Sequence, residues 1–259
     1  MEVSRTNVNQ RFLHPGQSQS HDPVRQQHHL IARCIHIKDA TTSDTKHSLT
    51  TNMSTSPQSQ SALPYSGSCH CGFIQYVAVI PLPPVKALSP DQSMPSGARF
   101  YKCNCTTCRK MGYFHMRLPD AANQFFVLSP PDLESMSDYR CGSGHVQWFF
   151  CPKCGVRCFA TAGPWIKDEI SRDLVDRAIS PERFEGKESL SVWRMDPAVY
   201  LEMKTGYVSI NVLTIDQDQL HDQSLDLRHL VDQKVVEYMD GKEGKGEKRY
   251  TYPHEGGTW

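Results

Sequence analysis

The chain has 259 residues, with 28 Lys plus Arg against 28 Asp plus Glu, 38% apolar residues, 17 Pro, 16 Gly and 10 Cys. That length admits one or two domains. A net charge of zero gives no electrostatic footprint for a phosphate backbone or an anionic membrane, which argues against general nucleic-acid binding.

Residues 1 to 64 hold one aromatic, Phe12, whereas the other 23 of the 24 Phe, Tyr and Trp lie between Tyr65 and Trp259. This first segment is rich in Ser, Thr, Gln and Asn, carries His14, His21, His28, His29, His36 and His47, and lacks sustained apolar periodicity. It reads as a disordered polar extension. Met53 offers a start for a shorter product just ahead of the core, so the first 52 residues are expected to be an optional or misassigned extension. Met1 to Pro15 lacks the apolar core of a secretory signal, so a cytoplasmic, reducing setting is expected, with the nucleus or mitochondrion as alternatives. No stretch reaches the roughly 18 consecutive apolar residues of a spanning helix. The best, Phe73 to Val85, is broken by Gln75, Pro81, Pro83 and Pro84.

From residue 65 to 240 the pattern is that of a mainly β domain. Phe73 to Ile80, Ala98 to Cys103, Phe125 to Leu128, His145 to Phe150 and Tyr207 to Ile215 are short, β-branched and aromatic. Two helices are predicted among them. In Trp165 to Ile179, Ile166, Ile170, Leu174 and Ile179 recur at near-helical spacing, and in Asp196 to Met203, Pro197 suits a first turn. Leu225 to Met239 reads as a short helix followed by a strand through Val235, Val236 and Tyr238. Residues 241 to 259 open with a Gly, Lys and Glu run and read as a flexible tail.

Nine of the ten cysteines lie between Cys69 and Cys158, and seven of them form three groups: Cys69-His-Cys71, Cys103-Asn-Cys105-Thr-Thr-Cys108 and Cys151-Pro-Lys-Cys154. Zinc favours tetrahedral thiolate coordination, and a Cys-x-x-Cys turn presents two sulfurs to one ion. Cys-x-Cys does the same in extended backbone, where residues i and i+2 face one side. Gly72 and Gly155 follow the first and third groups and suit tight knuckles. A disulfide framework fits poorly with a chain lacking a secretory signal. Seven ligands do not divide into two four-ligand sites. One partition gives a closed site of Cys69, Cys71, Cys151 and Cys154 and an open one of Cys103, Cys105 and Cys108. The other completes the second site with Cys141, Cys158, His70 or His115. Cys34 and Cys158 read as bystanders.

The ordered strings Gly67-Ser-Cys-His-Cys-Gly72, Cys103-Asn-Cys-Thr-Thr-Cys-Arg-Lys110 with Gly112, Phe150-Cys-Pro-Lys-Cys-Gly155 and Tyr207-Val-Ser-Ile-Asn-Val-Leu-Thr-Ile215 resemble the glutathione-dependent formaldehyde-activating family, which also contains centromere protein V. The resemblance covers roughly Ser66 to Asp216. It implies an Mss4-like fold of small β-sheets pinned by zinc, with one or two inserted helices. It also implies two zinc ions per chain, structural at Cys69, Cys71, Cys151 and Cys154, and catalytic at Cys103, Cys105 and Cys108. The implied activity is that of a carbon–sulfur lyase joining glutathione and formaldehyde as S-hydroxymethylglutathione. The alternative is a non-catalytic zinc-stabilised binding module of the centromere protein V type, for which the chain lacks a long basic arm.

Three thiolates on a doubly charged ion leave a formal charge of −1, which weakens its Lewis acidity. Arg109 and Lys110 follow the third ligand and are candidates for partial neutralisation or for a glutathione carboxylate. His115 is the candidate proton-transfer group beside the cluster. The sequence departs from the founding pattern in three places: the bulky Tyr113-Phe-His-Met-Arg117, the lengthened connection Pro81 to Gly97, and a helical insertion between Gly163 and Val192. These leave the metal ligands in place and bear on the substrate.

Overall fold

The structure, a computed structural model, describes residues 61–84, 97–203, 207–242 and 248–258. Residues 1–60 and most of the Pro81 to Gly97 connection lie outside the described residues. Among the described residues the chain is mainly β, with thirteen strands in two sheets and four short helices. Among the described residues no helix is long and apolar enough to cross a membrane.

The smaller sheet has strand order β1-β2-β5-β10-β9, formed by Ser61–Ser68, Gln75–Leu82, Phe125–Ser129, Ser189–Met195 and Trp165–Ser171. The larger has order β13-β12-β3-β4-β11-β8-β7-β6, formed by Lys248–Tyr250, Val236–Asp240, Arg99–Cys103, Phe114–Arg117, Tyr207–Asn211, Arg157–Ala162, Gln147–Phe150 and Ser137–Arg140. The helices are α1 (Thr106–Met111), α2 (Ala121–Gln124), α3 (Pro197–Met203) and α4 (Leu227–Asp232).

Alternation along β2 explains its continuous apolar run. Tyr76, Ala78 and Ile80 join a core shared with Phe100, Met116, Phe159 and Ile210 of the larger sheet. Val77 and Val79 point the other way, onto Phe126, Val175, Ile179 and Phe184. A strand buried on both faces loses the polar alternation of a half-exposed one. The opposite face of the larger sheet carries a third cluster, in which Cys103 and Cys108 pack with Tyr101, Tyr113, Trp148 and Tyr207.

The sequence reading needs correction at four places. Strand β1 begins at Ser61, four residues inside the stretch read as polar extension, and pairs along its full length with β2. The predicted helix Trp165 to Ile179 is strand β9 followed by a 3-10 turn at Arg172–Leu174, and the supposed helical insertion supplies instead the edge strand β9 and part of its neighbour β10. Apolar residues four apart share one face of a strand as well as of a helix. Seven consecutive register pairs with Ser189–Met195 decide between them. Leu174, counted in the helical face, is 39% exposed. The strand read as Tyr207 to Ile215 stops at Asn211, whose side chain accepts from the Leu213 N–H and starts a 3-10 turn. The tail is not free: Lys248–Tyr250 adds to the sheet beside β12. There the buried Glu237 of β12 accepts from Arg99 of β3 and from Arg249 of β13. The short helix and strand read in Leu225 to Met239 match α4 and β12.

Gly67, within the first motif, tests this packing. A Cβ there would enter the Tyr76 ring, which is fully buried and hydrogen-bonded through its hydroxyl to Thr214 at 2.7 Å. Gly67→Ala is expected to destabilise the domain by about 1–3 kcal/mol through overpacking, read as a lowered urea midpoint with an unchanged slope.

Candidate metal centres

The first centre is built from two hairpins. Cys69 and Cys71 occupy the turn from β1 to β2 in the smaller sheet, and Cys151 and Cys154 the turn from β7 to β8 in the larger. The two knuckles share one design. The Cys69 N–H donates to the Ile74 carbonyl and the Cys151 N–H to that of Val156, both at 3.0 Å, five residues on. The Gly72 and Gly155 N–H groups donate back to the Cys69 and Cys151 carbonyls at 2.9 and 2.8 Å. Both glycines have positive φ, 73° and 74°, which this reversal requires and a Cβ would resist.

The four sulfurs lie within 4.8 Å of one another, with Cys69 to Cys71 at 3.6 Å and Cys71 to Cys151 at 3.5 Å. A tetrahedral ion with bonds of about 2.3 Å to sulfur sets its ligands roughly 3.8 Å apart. The donor set therefore fits a metal ion and closes its coordination with protein sulfur alone. Cys158 is fully buried nearby but outside the group, and His70 is exposed. Cys34 lies outside the described residues.

The second group, Cys103, Cys105 and Cys108, also lies within 4.8 Å. It sits where β3 passes into α1. Cys105 caps the helix, its sulfur accepting from the Cys108 N–H at 3.5 Å. Gly112, at φ 61°, ends it, donating to the Arg109 carbonyl at 3.2 Å while the Tyr113 N–H donates to the Cys108 carbonyl at 3.0 Å. Six residues thus turn three sulfurs to one point. Hydrogen bonds from Cys103 and Cys108 hold the Cys105 thiol down at about 3, and making such a bond to Cys105 pushes Cys103 up to about 12. Loading the three sulfurs as thiolates onto a metal releases protons. Cys103 and Cys108 are buried and Cys105 is partly exposed.

His115 does not complete this group. It is 1% exposed on β4, with Nε2 3.1 Å from Cys108 Sγ and Nδ1 2.7 Å from Ser209 Oγ. Tyr101 stacks on its ring at 4.3 Å with an interplanar angle of 5°, and Tyr113 and Trp148 pack around it. Burial lowers its pKa to about 3, so the ring is neutral with one N–H to give. With Cys108 as a thiolate, that N–H belongs on Nε2, donating to sulfur, and Ser209 donates to Nδ1. His115 is therefore a support behind a ligand, not an exposed proton carrier. Cys141 lies beside Thr107 of α1, sulfur to hydroxyl 3.7 Å, and is likewise outside the trio. Arg109 and Lys110 are exposed in the last turn of α1, where their charge suits the helix C-terminus.

Sequence reading missed Tyr101, Ser209 and Asn104. Tyr101 was recoverable, since it stands two residues before Cys103 on one strand and so shares its face. Ser209 faces His115 only because β11 pairs with β4, with Asn211 opposite His115.

No protein-family model matches the chain. Among solved structures it is similar to the crystal structure of a Rhodobacter sphaeroides protein, 16% identical, with 64% of this chain and 94% of that one covered at a TM-score of 0.32.

The two groups should respond differently to loss of a ligand. Cys154→Ser is expected to abolish metal binding at the four-sulfur centre and cooperative folding with it, since a structural metal contributes on the order of 10 kcal/mol. Cys105→Ser is expected to lower metal content by one ion while the melting transition stays cooperative. His115→Ala, with folding retained, should weaken only the three-sulfur centre, by about 10- to 100-fold in a zinc titration.

Proposed function

We propose that this chain is a zinc protein with one structural and one reactive centre, and that the reactive centre makes or breaks the adduct of a small thiol with a small aldehyde. The observation that carries the reading is the three-cysteine group, which offers a tetrahedral ion one ligand fewer than it accepts, in the same chain as a closed four-sulfur group. Zinc is the metal whose preference for thiolate tetrahedra matches both sets. The resemblance of the three ordered cysteine motifs to the glutathione-dependent formaldehyde-activating family supports glutathione and formaldehyde as the reactant pair.

Zinc so held supplies electrophilic polarisation to a small-molecule oxygen or sulfur. The rest of the chemistry needs proximity rather than redox power. The substrate sulfur bonds to the aldehyde carbon, the C=O π bond opens, and the thiol proton ends on oxygen, with no oxidant or reductant. Cys105, the partly exposed member, marks the side from which reactants reach the centre. Behind it, His115, Ser209 and Tyr101 hold Cys108 in place. Arg109 and Lys110, exposed on the helix that carries Cys108, are placed to attract a carboxylate of the thiol substrate.

The test is loss of free formaldehyde in the presence of glutathione, measured against the spontaneous addition. Zinc-loaded protein is expected to accelerate it, and Cys105→Ser to return it to the spontaneous rate with the fold intact. Arg109→Ala should raise the glutathione concentration required and leave the maximal rate unchanged, as expected for uniform binding of a carboxylate. A fully loaded protein that adds nothing to the spontaneous rate would overturn the enzyme reading in favour of the binding module.

A further inference from the structure

The turn that carries Cys103, Cys105 and Cys108 is gripped by the far end of the chain. Strand β12 runs parallel to β3 and brings Met239 opposite Cys103. Where the strands part, Asn104 takes over the join. Its backbone N–H donates to the Met239 carbonyl at 3.2 Å. Its side-chain NH2 donates to the Asp240 carboxylate at 2.7 Å and to the Gly256 carbonyl at 3.3 Å, and its Oδ1 accepts from the Gly241 N–H at 2.7 Å. An amide side chain has two donors. Asn104 commits both, and an acceptor, to residues 136 to 152 positions further along the chain. It does so at 4% exposure, where an unmade hydrogen bond is costly.

Gly241 presses closer still. A Cβ there would lie 2.9 Å from Cys103 Sγ and 3.4 Å from the Cys105 Cβ. Its φ is not in the left-handed region, so close approach, not backbone freedom, is what glycine provides here. The segment beyond is itself anchored. Tyr250 of β13 packs against His254 at 4.4 Å between ring centroids, and Arg249 meets Glu237 of β12 at 3.3 Å.

We propose that Asn104 is a positioning residue for the three-cysteine centre and that the segment around Gly241 and Gly256 forms its back wall. Metal retention there then depends on docking of the C-terminal segment. The proposal rests on the reading of this trio as a metal centre. The two centres differ in what preorganises them. The four-sulfur centre joins knuckles from two sheets, so the fold itself sets its geometry. The trio lies on one short turn, and the direction of Cys103 and Cys105 follows from the backbone of the residue between them. Asn104 is that residue, and every hydrogen bond described for its side chain goes to the C-terminal segment.

Full-length protein would be loaded with zinc and challenged with a chromophoric chelator, alongside a cobalt-substituted sample whose sulfur-to-metal charge-transfer band reports ligand geometry. The variants are Asn104→Ala, Asp240→Ala and Gly241→Ala, with Cys105→Ser giving the spectrum of the four-sulfur centre alone. Wild type is expected to hold two ions. Asn104→Ala and Gly241→Ala should weaken the three-cysteine centre by about 10- to 100-fold, as loss of an outer-shell partner does, and shift its cobalt band. Asp240→Ala should act in the same direction by less, and the four-sulfur ion should be unmoved in all three. Unchanged affinity and spectrum in both Asn104→Ala and Gly241→Ala would overturn the proposal, as would parallel loss of both ions in every variant. A wild type that binds one ion, with Cys105→Ser indistinguishable from it, would overturn instead the metal reading of the trio.

Discussion

Convergence of four sulfurs from two hairpins is the constraint on which the architecture turns. Cys69 and Cys71 belong to the smaller sheet and Cys151 and Cys154 to the larger, and Cys71 and Cys151, 80 residues apart in sequence, are separated by 3.5 Å. Sulfurs at such distances are suited to sharing one divalent cation, and a cation held there would close a long loop in the chain. The four sulfurs thus bring the β1–β2 turn and the β7–β8 turn together. Between the sheets, Tyr76, Phe125, Phe149 and Phe159 interlock with ring centroids 5.1 to 6.3 Å apart. Packing of that kind requires the sheets to meet in one register.

The second cysteine group sits on the outward face of the larger sheet, away from the first in the chain and different in kind. Its three sulfurs come from one strand end and one helical turn, so it joins no distant elements through ligands. What surrounds it is unusually polar for a buried face. His115, Ser209 and Asn104 are all buried, and each has a hydrogen-bond partner. A buried polar group retained at such cost is satisfied only in one arrangement, and so specifies that arrangement. Around the four-sulfur centre the knuckle amides do the equivalent work with backbone alone. One cysteine group thus joins the two sheets, and the other is carried on the larger sheet alone.

Aromatic side chains line the three-cysteine group. Tyr113 is turned inward and donates to the Ser209 carbonyl at 2.8 Å, with Trp148 edge-on to it at 5.2 Å. Tyr113 and His115 therefore pack beside the three cysteines, while Phe114 and Met116 turn to the core between the sheets. All four side chains are buried.

The sequence by itself determined the three cysteine groups, as candidates for holding metal, and the β-rich character of the domain; the structure gathers those cysteines into a set of four and a set of three. The sequence features are local: a knuckle needs two cysteines and a glycine within a few residues, and a buried strand needs a short apolar run. Tertiary structure alone decided the rest. The apolar spacing of Ile166 and Ile170 fits a helix face and a strand face equally, and only the presence of Ser189–Met195 alongside makes it a strand. Lys248–Tyr250 reads as solvated tail by composition, yet a free sheet edge at β12 and the buried Glu237 give Arg249 a partner. Asn104 looks like a spacer between two ligands, and its role arises from residues more than 130 positions away. In each case the deciding energy lies in a contact between segments remote in sequence, which no local pattern encodes.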